Sequence, residues 1–207
     1  MKDSERIQAQ YAAGAQGWSA RYADAAAYLS HRAELVVSLG PRLEPGDRVL
    51  DLACGDGALA SFLPGLEYLG IDASPEMVAA ARRNGVAAEL GDLNEFVPAA
   101  PVAATCVFRA IYYARDRAAF FRQAAAFTER KLVFDLNPRQ YRPEDVRADL
   151  RAAGLDRLEL RPFFVPQTVA LPRAAVAALR AAERSGPAAR LALRFRFTYL
   201  CAASRGA

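Results

Sequence analysis

The chain has 207 residues, of which 53% are hydrophobic and 24% charged, and its formal net charge is +4. This length suits one domain with a single substantial core. No apolar run approaches the roughly 20 residues of a membrane span, and the charged first residues lack the apolar segment of a secretory signal. We therefore expect a cytoplasmic protein without a membrane span. Three cysteines without C-x-x-C spacing and a single histidine predict neither a disulfide framework nor a zinc site.

The charge is distributed unevenly, because the segment from Arg157 to Ala207 contains nine arginines and two glutamates. Such a basic segment could attract an anionic substrate or contact nucleic acid. We interpret these arginines as solvated outer faces of helices and strands and expect no nucleic-acid partner.

Two helices are predicted ahead of the first strand, within Ser4 to Gly40, and residues 1–45 are expected to form an N-terminal helical cap. A turn rich in proline and glycine, from Pro41 to Asp47, then leads to the first strand. The cap carries aromatic side chains and one histidine that suit a lid over a binding site, namely Tyr11, Trp18, Tyr22, Tyr28 and His31.

From residue 48 onward strands and helices alternate, which predicts an α/β fold with a largely parallel sheet. Strands are predicted near 48–52, 67–71, 86–90, 103–108, 131–136, 157–164 and 193–202. Helices are predicted near Gly57–Leu63, Pro75–Asn84, Arg117–Thr128 and Pro143–Ala153. No ordinary crossover separates the last two strands, so we expect them to be antiparallel.

An insertion of about 165–190, containing one helix from Pro172 to Arg184, precedes the last strand, and we expect it to close over the acceptor pocket together with the N-terminal cap. The alternation of arginine and phenylalanine from Arg194 to Phe197 has the period of a half-buried strand. The predicted architecture is a single domain (1–207). It is a Rossmann-like, seven-stranded, mostly parallel sheet with a reversed last strand and helices on both faces.

The most informative segment is Val49-Leu50-Asp51-Leu52-Ala53-Cys54-Gly55-Asp56-Gly57. An apolar strand ends at an acidic residue, and two glycines then turn the chain into a helix, where bare backbone and free N–H groups can contact a ligand. Asp72 and Asp92 each follow a further apolar run. Because the carboxyl ends of parallel strands meet at one edge of a sheet, these three carboxylates are expected at the ligand-binding edge.

This pattern resembles that of class I S-adenosylmethionine-dependent methyltransferases, from about Arg48 to Gly154. The resemblance implies that Asp51 and the two glycines hold the methionine end of the cofactor. It also implies that Asp72 binds the ribose hydroxyls and that Asp92 faces the adenine amino group. Met77 matches a position that packs on adenine, and Ala53 stands where the family often has glycine. The residues assigned to S-adenosylmethionine are Asp51, Ala53, Gly55, Gly57, Asp72, Ala73, Met77, Asp92, Leu93 and Arg109.

Three other interpretations stay open. Gly55-x-Gly57-x-x-Ala60 also fits the fingerprint of a dinucleotide site, although Asp51 and Asp92 suit the methyl donor better. The glycines and carboxylates could instead serve only turns and helix caps. The chain could also keep the cofactor fold as a non-catalytic binding or regulatory module.

Candidates for the acceptor side follow the fourth and fifth strands or lie in the N-terminal cap. Arg109 could pair with a carboxylate or phosphate of the substrate, and Tyr112 or Tyr113 could line the methyl-transfer path or pack beneath the next helix. Asn137 could contact the acceptor. His31 is the only histidine, and it could act as a base or be a packed residue.

The expected function is methyl transfer to an oxygen or nitrogen of a small molecule. Nucleic-acid amino-methyltransferases of this fold carry an Asn/Asp-Pro-Pro-aromatic motif after the fourth strand, where this sequence has Arg109-Ala110-Ile111-Tyr112. A metal-dependent transfer of the catechol type would need a carboxylate-rich cluster at the strand ends, and Asp135 and Asn137 are too few to supply it, so no metal is expected. A homodimer is possible.

Overall fold

The computed structural model describes residue 19, residues 22–195 and residues 198–206. The described strands are β1 (Arg48–Leu52), β2 (Glu67–Asp72), β3 (Ala88–Leu90), β4 (Val102–Val107), β5 (Thr128–Leu136), β6 (Arg157–Pro162) and β7 (Tyr199–Ser204). The described α-helices are α1 (Ala25–Ser38), α2 (Pro75–Arg83), α3 (Arg117–Phe127), α4 (Pro143–Ala152), α5 (Arg173–Arg184) and α6 (Gly186–Phe195). Two 3₁₀ turns cover Ala58–Phe62 and Ile111–Tyr113.

The seven strands form one sheet in the order β3-β2-β1-β4-β5-β7-β6. Strands β1 to β5 pair in parallel, whereas β7 is antiparallel to both β5 and β6. The predicted mostly parallel sheet with a reversed last strand is therefore confirmed. After β1 the chain builds outward through β2 and β3, and it then returns to the other side of β1 with β4. This reversal of strand order opens a crevice at the carboxyl ends of β1 and β4, where ligands bind in open α/β sheets.

Both faces of the sheet are covered, which is why β4 and β7 are buried along their whole length. One apolar cluster packs Phe120, Phe121 and Val146 of α3 and α4 against the sheet. The opposite cluster packs Leu29 and Val36 of α1 against it. Strands buried on both faces consist of continuous apolar runs rather than alternating ones, and the sequences of β4 and β7 show this pattern.

Short polar side chains begin several of the helices. Asp24 accepts the backbone N–H of Ala27 at the start of α1. Ser74 caps α2 in the same way, with a proline at the first helical position. Such caps satisfy N–H groups that have no partner within the helix, so these sequences determine where the helices begin.

The last third of the chain corrects two predictions. The insertion contains two helices, α5 and α6, instead of one, and the last strand begins at Tyr199 rather than near residue 193. The prediction of a strand over the alternating segment from Arg194 onward is therefore wrong, because α6 continues to Phe195 and the strand uses the mostly apolar run Tyr199–Ser204. Residues 196 and 197 lie outside the described part of the chain. None of the helices in the described ranges is long and apolar enough to cross a membrane.

Candidate functional site

A cavity of about 580 Å³ opens at the carboxyl ends of β1, β2 and β4. Its wall combines backbone of the β1 turn, carboxylates, aromatic rings and three arginines. The residues that line it are Ser19, Tyr22, Leu29, Arg32, Asp51, Ala53, Cys54, Gly55, Asp56, Ala58, Leu59, Asp72, Ala73, Ser74, Gly91, Asp92, Leu93, Asn94, Phe108, Arg109, Ala110, Tyr112, Tyr113 and Arg115. The three predicted carboxylates, Asp51, Asp72 and Asp92, thus share one cavity.

The turn after β1 presents backbone to this cavity. Ala53 and Gly55 have φ angles of +64° and +60°, a left-handed conformation that glycine adopts without strain and alanine does not. The N–H of Gly55 donates to Oδ2 of Asp72 at 2.9 Å, and the N–H of Ser74 donates to Oδ1 at 2.9 Å. Asp72 is therefore fixed by backbone donors, and each oxygen keeps a further lone pair for a ligand hydroxyl. Burial nevertheless raises the pKa of Asp72.

Asp51, at the end of β1, is only 3% exposed. Its Oδ2 accepts the hydroxyl of Tyr68 at 2.6 Å, whereas its Oδ1 has no hydrogen-bond partner among the described residues. Burial raises the pKa of Asp51 to about 7, against the opposing effects of the Tyr68 hydrogen bond and the Arg32 charge. A buried carboxylate with an unsatisfied oxygen is costly unless a donor arrives. The site therefore favours a cationic or N–H-bearing ligand group at Asp51.

Asp92 lies at the other end of the cavity, beyond β3. Its Oδ1 accepts from the backbone and side-chain nitrogens of Asn94 at 2.8 and 2.7 Å, and Oδ2 pairs with Arg115 at 2.7 Å. Leu93 is 8% exposed and lines the cavity beside it. This end combines an apolar surface with polar atoms at its rim, which suits a flat heterocycle.

Two of the residues assigned to the cofactor do not line the cavity. Met77 is 1% exposed and lies in the first turn of α2, where its N–H donates to the Ser74 side chain. Gly57 has a φ of +72°, and a Cβ there would lie 3.1–3.2 Å from Val86 and Ala81. Both residues shape the site from outside, through the packing of the β1 turn on α2.

Arg109, directly beyond β4, lines the cavity in an unusual backbone conformation. Its φ is +54°, and its N–H donates to Oδ1 of Asp135 at 2.6 Å. Its side chain hydrogen-bonds with Tyr22, which also lines the cavity and stacks on Tyr28 with ring centroids 4.9 Å apart. Tyr112 and Tyr113 complete this wall, with ring centroids 4.4 Å apart.

Arg32, on α1, is the main lining residue that the sequence did not single out. It is 4% exposed, its Nη2 donates to the hydroxyl of Tyr28 at 2.7 Å, and it lies 3.5 Å from Oδ2 of Asp135. Its Nε has no hydrogen-bond partner among the described residues. Its guanidinium carbon is 4.4 Å from the centroid of Phe108. No local motif distinguishes Arg32 from the other arginines, so only the packing of α1 on the sheet reveals it.

Burial opposes the charged form of Arg32, but neighbouring oxygens, including those of Tyr28 and Asp135, outweigh it and raise its pKa. Asp135 is 8% exposed, and burial raises its pKa against the Arg32 charge. The cavity therefore contains a permanently charged guanidinium that is only partly paired.

His31 and Asn137 are not in the cavity wall. His31 is 2% exposed, pairs with Glu183 of α5 and stacks on Phe163, so its proposed role as a base has no geometric support. Its pair with Glu183 joins α1 to the insertion. The Asn137 side chain accepts the N–H of Arg139 at 3.0 Å in the turn after β5, which is a turn-forming role.

The insertion does not cover the cavity. Glu34 of α1 pairs with Arg180 and Arg184 of α5, and no described residue of 165–190 lines the cavity. Of the segments predicted to form the lid, Tyr22 and α1 contribute to the cavity wall. Tyr11 and Trp18 lie outside the described residues. No group of three potential metal ligands occurs within the described ranges.

Comparison with known proteins adds sequence relatives. A family model described as "Methyltransferase domain" matches residues 49–131. The chain is 46% identical over 69 residues to a trans-aconitate 2-methyltransferase of Mycobacterium tuberculosis. This match covers 31% of this chain and 26% of that protein. A trans-aconitate 2-methyltransferase of Mycolicibacterium gilvum is 38% identical over 77 residues, covering 34% and 30%. The matched part thus spans about a quarter of the length of the first of these curated relatives.

Solved structures share the fold over most of the chain. A chain from the complex of the Haloferax volcanii Trm112 methyltransferase activator with a methyltransferase has a TM-score of 0.68 at 21% identity, covering 95% of this chain and 98% of that chain. Magnesium protoporphyrin IX methyltransferase of Synechocystis, solved with bound S-adenosylmethionine, has a TM-score of 0.59 at 17% identity, covering 86% and 78%.

Proposed function

We propose that this chain is a class I S-adenosylmethionine-dependent methyltransferase, which binds S-adenosylmethionine in the 580 Å³ cavity and methylates an oxygen or nitrogen of a small molecule. The observation that carries the proposal is the convergence of Asp51, Asp72 and Asp92 on this one cavity. The curated relatives support the reaction, but the match to the first of them covers only 31% of this chain.

The residues present fit the methionine end of this molecule, which carries an ammonium and a carboxylate on one carbon. Oδ1 of Asp51 is buried, has no hydrogen-bond partner within the described ranges and suits the ammonium. Nε of Arg32 likewise has no partner in the part of the chain that the structure describes, and Arg32 interacts electrostatically with Asp51, so it suits the adjacent carboxylate. Two buried groups of opposite charge, each incompletely satisfied, are complementary to a zwitterion.

The remaining contacts follow from the cavity wall. Asp72, held by backbone N–H groups, would accept the ribose hydroxyls. Leu93 would cover one face of the adenine, and Asp92 with Asn94 would meet its polar edge. When bound, S-adenosylmethionine supplies a methyl group on a positively charged sulfur, so the protein mainly has to align an acceptor lone pair and exclude water.

A small-molecule acceptor is favoured by the size and wall of the cavity. A volume of about 580 Å³ falls within the range of small-molecule sites. Tyr22, Phe108 and Tyr112 form an aromatic wall beside Arg109. Trans-aconitate, the substrate in the names of the curated relatives, is the first acceptor to test.

The test combines binding and turnover. Calorimetry with S-adenosylmethionine and S-adenosylhomocysteine should show binding that Asp72→Ala weakens by about 10- to 100-fold, because hydrogen bonds to a charged group are lost. Asp156→Ala, an exposed carboxylate outside the cavity, should leave it unchanged. Binding of NAD without S-adenosylmethionine would contradict the proposal. Binding without labelled methyl transfer to trans-aconitate or to a panel of phenols, amines and carboxylates would favour a regulatory module instead.

A further inference from the structure

The arginines of the cavity are not all used by the ligand proposed above. Arg115 pairs with Asp92 and Glu95, and Arg32 is the candidate for the methionine carboxylate. Arg109, which is assigned from the sequence both to S-adenosylmethionine and to the substrate, makes none of the donor contacts proposed above. Its side chain hydrogen-bonds with the Tyr22 phenol, and its charge also acts on Asp135, but it forms no ion pair within 4 Å among the described residues. An exposed guanidinium in a binding cavity that lacks such a close ion pair is available to an anion.

The backbone of Arg109 is held in place at a cost. A φ of +54° places this non-glycine residue in the left-handed region, and residues held there cluster at functional sites. The N–H bond to Asp135, at 2.6 Å, fixes this conformation. Because Asp135 is itself buried and 3.5 Å from Arg32, the position of Arg109 is coupled to the rigid packing between α1 and β5.

We propose that Arg109, with Tyr22 beside it, is the specificity-determining contact for the acceptor, and that the acceptor is a small molecule bearing a carboxylate. This inference rests on the proposed function, because it takes the methyl donor to occupy the Asp51 side of the cavity. A carboxylate can accept two parallel N–H bonds from a guanidinium, and the neighbouring rings of Phe108 and Tyr112 suit an apolar body attached to it.

The local charge favours an anionic group at Arg109. Arg32 and Arg109 are both cationic, and the Asp135 carboxyl interacts with both charges. In the proposed donor complex the ammonium pairs with Asp51 and the carboxylate with Arg32, so neither group of the donor pairs with Arg109. A carboxylate of the acceptor would supply that pairing.

The test measures acceptor binding separately from turnover. Calorimetry is performed on protein saturated with S-adenosylhomocysteine, titrated with succinate, glutarate, benzoate and phenylacetate and with the amide of each. At least one carboxylate should bind about tenfold or more tightly than its amide. Arg109→Met should abolish this preference to within about twofold while changing the S-adenosylhomocysteine dissociation constant less than about twofold. Arg109→Lys should retain part of the preference, because it keeps the charge but loses the planar fork.

Arg139→Met is the matched control, since Arg139 is an exposed arginine after β5 that lies outside the cavity lining. It should leave both affinities unchanged. Equal affinity for carboxylates and amides, stronger binding of phenyl phosphate, or no binding by any member of the panel would overturn the inference. If the wild-type protein does not bind S-adenosylhomocysteine, the proposed function is overturned instead, so the two failures are distinguishable.

Discussion

Asp51→Asn is expected to remove a pH-dependent loss of stability caused by a buried carboxylate. Burial raises the pKa of Asp51 from 3.8 to about 7, so the folded protein keeps this proton to a higher pH than the unfolded chain does. Each pKa unit corresponds to about 1.4 kcal/mol, and the difference therefore reaches on the order of 4 kcal/mol. The proton retained on Asp51 stabilises the folded state fully below about pH 4, and this stabilisation is lost as the pH rises through about 7.

Urea unfolding at pH values from 5 to 8 measures this effect. The free energy of unfolding of the wild type should fall by about 2–3 kcal/mol more than that of Asp51→Asn over this range. Asparagine keeps an oxygen that can accept the Tyr68 hydroxyl, now 2.6 Å from Oδ2, so the comparison removes the charge with little change in packing. Tyr68→Phe removes that donor and should move the titration to higher pH. Parallel pH profiles for wild type and Asp51→Asn would refute the reasoning.

The same carboxylate predicts a pH dependence of ligand binding. An ammonium beside Oδ1 favours ionised Asp51, and the ionised fraction rises about tenfold between pH 6 and pH 8 for a pKa of about 7. The affinity of the wild type for S-adenosylhomocysteine should therefore rise by about tenfold over this range. Asp51→Asn should bind more weakly at pH 8 and show a flat profile. A wild-type profile as flat as that of the variant would exclude Asp51 as the ammonium contact.

Three substitutions test how the site is supported. Ala53→Gly should change the stability by between zero and a gain of about 1 kcal/mol in thermal or urea unfolding, because the φ of +64° strains alanine but not glycine; a clear loss would contradict this. Gly70→Ala should lower the free energy of unfolding by about 1–3 kcal/mol and weaken S-adenosylhomocysteine binding, since its Cβ would lie 2.6 Å from Sγ of Cys54. Unchanged stability and unchanged affinity would show that the β1 turn can shift freely. Lys131→Met should destabilise the protein, because it leaves the carbonyls of Val37 and Leu39 without their buried donor. Burial lowers the pKa of Lys131 to about 8, so the wild type should gain stability between about pH 8 and 10, and the variant should lose this gain. An unaltered pH profile of the variant would contradict the prediction.

The sheet edge could be predicted from local sequence because each strand there ends in its own signal. An apolar run followed by Asp51, Asp72 or Asp92 shows both the strand and the carboxylate at its end, and parallel pairing brings such ends together whatever the details of packing. The left-handed turn residues follow from the same segment. These features depend on neighbours within a few positions, so one sequence is enough to predict them.

The last strand was harder to predict because its signal competes with another pattern. Alternating arginine and phenylalanine favours a strand by period alone, yet α6 extends into this segment and the strand forms from the following apolar run, Tyr199–Ser204. A strand between β5 and β6 is covered on both faces, so burial and not alternation decides which residues occupy it.

Tertiary structure decided which of the candidate acceptor-side residues line the cavity. His31 and Arg32 are adjacent on α1, and the sequence singled out only the histidine, as either a base or a packed residue. The helix packs with Arg32 towards the cavity and with His31 towards Glu183 of the insertion. Which side of a helix faces a site depends on its rotation against the sheet, which is set by contacts distant in the sequence. The sequence by itself therefore determined the sheet edge that lines the cavity, because its carboxylates lie next to their own strands, and only the packing of α1 decided which of its charged side chains lines the cavity.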